Sequence, residues 1–451
     1  MIEKILNYKR VSVAQREREF PLAQFKHTLT LSDRNFEQAL RTQRPAFILE
    51  CKKASPSQGL IRPEFNIVEI AKEYGKWASA VSVLTDERFF QGSLDNLVEA
   101  RQELTCPILC KDFIVSTYQV YEACRYGADA ILLMLSVVDD ELYAECAQIA
   151  QELGMGVLTE VRSNEELNRA IALGAKIIGI NNRDFKTLKV DLDVSRQMMS
   201  KVPSDRLLVV ESGISNHDDI VKYGSRPDGF LIGTTLMRQP RLDLAVREMI
   251  FGRVKVCGLT SVADAKMVYD EGAVWGGLIF TPVSPRAVDL ATAEQMTNSV
   301  PLQWVGVFVN QDIELVSEMA CQLKLSAVQL HGDEDANYIK KLKEKLPSSV
   351  EIWKVVRMPN SLPRGEGFRI LLDTYDKNLV GGTGKTFDWS LIDGDKNKLI
   401  LSGGVSPDNA CAAQRIGTWA IDVNSGVEER PGIKSREKIH QLFQNIRGNQ
   451  V

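Results

Sequence analysis

Hydrophobic residues in this chain fall into short unbroken runs separated by amphipathic stretches. Sixteen runs recur. The first eight are residues 46–53, 80–86, 107–113, 130–135, 156–161, 177–182, 207–213 and 229–234. The second eight are 253–259, 275–280, 303–309, 326–332, 351–357, 369–374, 399–405 and 420–426. A run without polar alternation predicts a strand buried on both faces, as in a parallel sheet. The stretches between them, such as 139–153 and 163–173, carry apolar residues at helical spacing. One junction repeats: a helix runs into Gly-Ala just before a strand, at Gly127-Ala128, Gly174-Ala175 and Gly272-Ala273. Such a glycine supplies the left-handed residue that ends a helix.

Strand, helix, strand at a period of ~20–35 residues is a series of right-handed βαβ units. Eight units close a barrel, so sixteen predict an α/β fold of two consecutive (β/α)8 barrels. One open sheet of sixteen strands is the competing reading, and sheets that wide are rare. The halves also echo each other: Val210–Ser215 resembles Leu401–Ser406, and Gly229–Thr234 resembles Ala420–Ser425. The predicted domains are 1–252 and 253–451, expected to abut because no Pro- or Ser-rich linker joins them. Before the first strand, 11–20 and 32–41 read as helices, the second capped by Ser32 or Asp33. This extension is available to cover one barrel mouth.

Composition narrows the function classes. A length of 451 residues fits two or three domains. A net charge of -4, with no run of like charges, gives no argument for nucleic acid. Charges interrupt the N-terminal apolar stretches, so they do not form a signal peptide. No segment approaches ~18 consecutive apolar residues, so no membrane span is expected and the protein is placed in the cytoplasm. The eight cysteines form no C-x-x-C pair and read as reduced, mostly buried thiols. The four histidines lack zinc-ligand spacing, so no metal site is expected.

In a barrel, chemistry sits where strands end at the C-terminal mouth. The first half delivers Glu50, Lys52 and Lys53 there from strand 1, Lys111 and Asp112 from strand 3, and Glu160 from strand 5. Strand 6 adds Asn181 and Arg183, and strand 7 adds Glu211 with Ser212. Converging lysines and glutamates suggest acid–base work on a bound anion, against the simpler reading of structural ion pairs. The loops after strands 7 and 8 carry Ser212-Gly213 and Gly233-Thr234, suited to a phosphate.

These segments resemble indole-3-glycerol-phosphate synthase. The matching residues are 47–57, 109–113, 158–160, 179–183, 211–213 and 230–233, in order along the first half. The resemblance implies conversion of a carboxyphenylamino-deoxyribulose phosphate to indole glycerol phosphate, with loss of carbon dioxide and water. It implies Lys111 as the general acid on the substrate ketone, and Glu160 moving the proton in the later dehydration. Glu50 and Glu211 would hold the lysines, and Lys52 would face the substrate carboxylate. The assignment of the two lysines to individual steps stays open. Asn181 and Arg183 would position substrate, Phe113 would line it, and Ser55, Ser212, Gly213, Gly233 and the Thr234 hydroxyl would hold phosphate. The family's N-terminal extension covers the active-site mouth, which accounts for residues 1–45.

In the second half, Lys255-Val-Cys-Gly-Leu-Thr260 puts Cys257 at the end of its first strand, and Leu371-Leu-Asp-Thr374 projects Asp373 from the sixth. A thiol and a carboxyl facing one substrate make a base and an acid, against readings as an inert thiol and a helix cap. The loop Gly381-Gly-Thr-Gly-Lys-Thr386 is not a P-loop, because Leu379 stands where that motif needs glycine. Ser402-Gly-Gly404 and Val423-Asn-Ser-Gly426 close strands 7 and 8.

With Ser284-Pro-Arg286, 305–308, 328–332 and 422–428, these segments resemble phosphoribosylanthranilate isomerase. The resemblance implies ring opening of N-(5-phosphoribosyl)anthranilate and rearrangement of aminoaldose to aminoketose. Asp373 would protonate the ring oxygen and Cys257 would remove the C2 proton. Arg286 would meet the anthranilate carboxylate, and Gln329 would line the substrate. Gly382, Gly384, Gly403, Gly404, Asn424 and Ser425 would hold phosphate. An ordinary thiol pKa of ~8.5 needs only a modest downward shift to serve as a base.

The expected partners are small phosphorylated anthranilate-sugar substrates, with no nucleic acid, no membrane and no cofactor, in a monomeric chain. Two other functions fit the fold: a Schiff-base aldolase using Lys52 or Lys111, and a non-catalytic phosphate sensor. A sensor has no need of acid–base pairs in both halves.

Overall fold

The computed structural model describes residues 1–358, 367–374, 386–392 and 394–448. Two closed parallel barrels account for all sixteen runs. In the first, β1 (Ala46–Cys51), β2 (Ala80–Leu84), β3 (Ile108–Lys111), β4 (Ala130–Met134), β5 (Gly156–Val161), β6 (Ile177–Asn181), β7 (Leu207–Glu211) and β8 (Gly229–Ile232) neighbour one another in chain order. The barrel closes with Ala46 opposite Gly229 and Phe47 opposite Phe230. In the second, β9 (Val254–Val256), β10 (Trp275–Ile279), β11 (Gln303–Phe308), β12 (Ala327–Leu330), β13 (Glu351–Met358), β14 (Arg369–Thr374), β15 (Leu399–Leu401) and β16 (Ala420–Val423) close with Val254 opposite Ile421. The chain divides into two compact units at Val246–Arg247, within the helix Leu242–Phe251.

The unbroken apolar runs are explained by burial on both faces. Ile48, Leu109, Leu158 and Val209 meet in one buried cluster inside the first barrel. On the outer face, Phe230 stacks on Phe47 and meets Tyr223 of the helix His217–Tyr223 edge-on. Side chains alternate along a strand, so residues two apart share a face. The residue two beyond each interior apolar position therefore also points inward, one layer nearer the C-terminal mouth. Those residues are Glu50, Lys111, Glu160 and Glu211. Most of the predicted runs overshoot the strands at this end because they take in polar and glycine residues of the rim loops, such as Lys52-Lys53, Ser212-Gly213 and Asn424-Ser425-Gly426.

Helix boundaries follow local chemistry. Asn66, Asp139, Ser163, Asn216, Ser261, Asp289 and Asp335 each accept a first-turn N–H of the helix they start. The repeated glycines stop helices as expected, with φ of 85° at Gly127, 75° at Gly174 and 128° at Gly272.

The N-terminal extension needs two corrections. Its first helix is Ile2–Glu19, beginning well before residue 11. The buried stripe is Ile5, Leu6, Lys9 and Val13, and the lysine in an apolar slot breaks the pattern in the sequence. The later helix is Phe36–Thr42, capped by Asn35 rather than Ser32 or Asp33. Ser32 instead donates to Asp129 (2.7 Å) and Asp33 pairs with Arg101 (2.5 Å).

All eight thiols are free, most are buried, and Cys321 is exposed. Among the described residues, no helix is long and apolar enough to cross a membrane, and no group of three or more His, Cys, Asp or Glu side chains could hold a metal ion.

Candidate active sites

The mouth of the first barrel holds a cavity of about 290 Å³. One side is polar: Glu50, Lys52, Lys111, Glu160, Asn181, Arg183 and Ser212 all line it. Lys111 stands 2.6 Å from Glu211 and 4.0 Å from Glu160, while Lys52 pairs with Glu50. Burial opposes charge on Lys111, but Glu211, Glu50 and Glu160 outweigh it and hold its proton above the usual lysine range. Burial also opposes charge on Glu50, yet Lys52 and Lys111 keep its pKa low. Glu160 goes the other way. Burial and the charge of Glu211 raise it to about 8, against the pull of Lys111 and Asn181. Its Oε2 has no hydrogen-bond donor among the described residues. Glu50 and Glu160 are thus shifted in opposite directions within one site, the separation that acid–base chemistry requires.

The other side of the cavity is apolar, with Ile5, Phe90, Phe113, Leu132, Met134, Phe185 and Leu231. Phe113 lies 6.1 Å from the rings of both Phe90 and Phe185. A flat aromatic substrate fits this face. Ser55, Ser212, Gly213, Gly233 and Thr234 gather at the polar rim. Gly213 has φ +89°, and a Cβ there would stand 2.6 Å from Val190 and 2.7 Å from Leu192, so only glycine fits this turn. The Thr235 hydroxyl donates to the Ile214 carbonyl (2.7 Å), tying the loops after β7 and β8 together. Arg183 is braced by Ser57 (3.3 Å) and the Leu188 carbonyl (3.1 Å).

Lys9 was not foreseen. Its ammonium is buried 2.7 Å from both Asp86 and Asp112, the latter adjoining Lys111. Asp112 also accepts the Thr85 hydroxyl (2.8 Å) and the Phe113 N–H (2.7 Å). The pair fastens the helix that presents Met1 and Ile5 to the cavity. Lys9→Met leaves two buried carboxylates without their cation, and should cost about 3–5 kcal/mol of first-barrel stability. Urea unfolding checks this; an unchanged midpoint would rule it out.

In the second barrel, Cys257, Arg286, Gln329, His331, Asp373, Gly403, Gly404, Asn424 and Ser425 line one cavity. Asp373 is buried, and the loss of hydration raises its pKa to about 6, against a hydrogen bond from the Thr374 N–H. His331, which the sequence pattern gives no role, places its Nε2 3.6 Å from Asp373. Burial, then Arg357 and the nearby lysines, push it down to about 3, so it is neutral. Glu428 takes the Nε–Nη2 edge of Arg286 at 2.8–3.2 Å. Gln329 sits on the barrel floor, accepting from Lys255 at 2.9 Å. The expectation for Cys257 is corrected in direction. Burial raises the thiol pKa rather than lowering it, and the nearby Lys255 only partly offsets this. The expected phosphate residues Gly382 and Gly384 lie outside the described residues.

Comparison with known proteins agrees with both halves. A family model described as indole-3-glycerol phosphate synthase matches residues 2–249. One described as N-(5'-phosphoribosyl)anthranilate isomerase matches residues 254–445. The tryptophan biosynthesis protein TrpCF of Haemophilus influenzae is 49% identical, over 99% of this chain and 97% of its own. Its counterpart from Yersinia pestis is 47% identical, over 99% and 94%. A solved phosphoribosyl anthranilate isomerase from Thermotoga maritima is 34% identical over 44% of this chain and 98% of that one, with a TM-score of 0.39.

Proposed function

The chain belongs to the indole-3-glycerol phosphate synthase family in its first half and the phosphoribosylanthranilate isomerase family in its second, and from that premise we propose how its residues divide the work. It is a bifunctional enzyme of tryptophan biosynthesis. The isomerase half makes the aminoketose that the synthase half closes to an indole. We place the two halves at 1–252 and 253–451, working as a monomer in the cytoplasm.

In the first barrel the anthranilate ring lies on Phe113 and its aromatic neighbours, with the phosphate at Ser55, Ser212, Gly213, Gly233 and Thr234. Lys52 meets the carboxylate, and Asn181 and Arg183 orient the sugar. Lys111 gives its proton to the ketone oxygen as the carboxyl-bearing ring carbon attacks, and carbon dioxide leaves. Glu160 then protonates the hydroxyl, water departs, and the carboxylate so formed takes a proton from the adjacent ring CH2 as the indole double bond forms. Glu211 and Glu50 keep Lys111 charged, and Glu50 also pairs with Lys52. The observation that carries this reading is the group Lys111, Glu160 and Glu211, within 4.0 Å of the lysine in a site with an aromatic wall.

A donor with a pKa of about 8 loses its proton above that pH. The kcat for ring closure should therefore fall as pH rises through about 8. Glu160→Gln should remove that limb along with most of the rate. A variant that stays fast with the limb intact would reassign the dehydration proton.

In the second barrel Asp373 protonates the furanose oxygen, opening the ring to an imine. Cys257 takes the C2 proton, and the enolamine becomes the ketone. Arg286, oriented by Glu428, meets the anthranilate carboxylate through its Nη1 side. Gln329 borders the substrate, and Gly382, Gly384, Gly403, Gly404, Asn424 and Ser425 hold phosphate. This chemistry starts from protonated Asp373 and ionised Cys257. At neutral pH both groups favour the opposite state, Asp373 at about 6 and Cys257 raised by burial.

A further inference from the structure

The scarcity of thiolate points to the group behind the cysteine. We propose that Lys255 is the positioning residue for the base: its ammonium, fixed beneath Cys257 inside the second barrel, holds the thiolate in place. This rests on reading Cys257 as the base.

Lys255 and Cys257 are two apart on one strand line and share its inward face. Lys255 is fully buried and lies outside the cavity lining, whereas Cys257 lines it. The lysine therefore meets the thiol and not the substrate. An ammonium has three protons to donate. One goes to Gln329 Oε1 (2.9 Å) and one to Asp422 Oδ1 (2.9 Å), which leaves the third for the neighbouring Cys257 Sγ on the same face. Gly277 on β10 makes room for this contact. A Cβ there would stand 2.6 Å from Cys257 Sγ and 3.1 Å from Lys255 Cε.

Among the described residues, the charged neighbours of the thiol can be placed. Lys255 comes from its own strand, Asp422 from β16, and Lys434 from the hairpin Glu428–Arg430/Ile433–Lys434. His331, Asp373 and Arg286 share the cavity. His331 is neutral, at about 3. Asp422 opposes the thiolate and Lys434 assists from farther off. Lys255 is the cation that favours the thiolate most, from beside the same Gly277, and a buried charge acts strongly at short range. Asp422 has two effects: it keeps the lysine charged and partly cancels its benefit to the sulfur.

That antagonism makes the test signed. The rate of iodoacetamide alkylation of Cys257 is followed against pH in the full chain, by mass spectrometry of its peptide. Lys255→Gln should slow alkylation near pH 7.5 about tenfold, with the midpoint moving up by about one unit. Asp422→Asn should speed it several-fold, because the carboxylate opposing the thiolate is lost while Gln329 and the thiolate itself still hold the ammonium. Tryptophan emission reports folding, since Trp275, Trp304, Trp353, Trp389 and Trp419 all lie in the second half. Where Lys255→Gln fails to fold, the near-isosteric Asp422→Asn decides. Slower alkylation in Asp422→Asn, or no change in Lys255→Gln, overturns the proposal. Cys257→Ala separates the two readings. If that variant still isomerises, Cys257 is not the base. If it is inactive and a folded Lys255→Gln alkylates like the parent, only the role of Lys255 falls.

Discussion

Lys111→Ala should lower the kcat of indole ring closure by at least about 10³-fold, within the range of a lost general acid. The isomerase rate should stay within about twofold, because the residues lining this cavity all belong to the first half. The loss has two sources. The ketone oxygen loses its proton donor. Glu50 and Glu160 also lose the cation that lowers them, so both hold protons more tightly. The descending limb of any residual activity, set by Glu160, should accordingly move to higher pH. Steady-state assays of both reactions on the same preparation check this. Lys111→Arg should not restore the rate, since a guanidinium keeps its proton and has a different shape. An alanine variant with near-parental ring closure would transfer the acid's role to Lys52.

Cys257→Ala should abolish the isomerisation, by about 10³-fold or more, and leave ring closure intact. Asp373→Asn should do the same by removing the proton that opens the furanose. The two losses should not add, because each leaves the chemistry without one of two required partners. The parental isomerase should show a bell-shaped profile, with the acid limb near the Asp373 value of about 6 in the free enzyme. Cys257→Ser is informative beside alanine. A hydroxyl is a far weaker acid than a thiol, so serine preserves shape while losing the base. Retained activity in that variant would mean the cysteine serves packing alone.

Much of this molecule can be read from its sequence because parallel barrels bury strands on both faces. Continuous runs such as residues 207–213 mark the strands, and the same alternation puts Glu50, Lys111, Glu160 and Glu211 on the inner face. The polar rim is legible for that reason. What escapes a linear reading is burial of charge. Lys9 occupies an apolar slot of its helix only because Asp86 and Asp112 await it. Lys255, next to the recognised cysteine, reads as one more charged residue until Asp422 and Gln329 are found opposite it, far along the chain. His331 reads as one scattered histidine until β12 and β14 bring it to Asp373. The ease of ionising Cys257 was misjudged for the same reason, since composition carries no record of desolvation. The cap at Asn35 was missed because Ser32 and Asp33 are equally good cap formers, and tertiary partners claim both.

The central claim is that each barrel holds one complete and independent site. Mixing two inactive chains tests it most directly. Lys111→Ala and Cys257→Ala are each given N-(5'-phosphoribosyl)anthranilate, alone and together, and indole glycerol phosphate is measured. Each alone should yield essentially none, and the mixture should restore its formation through released aminoketose. Product from either chain alone, or none from the mixture when both proteins are folded, would contradict the account.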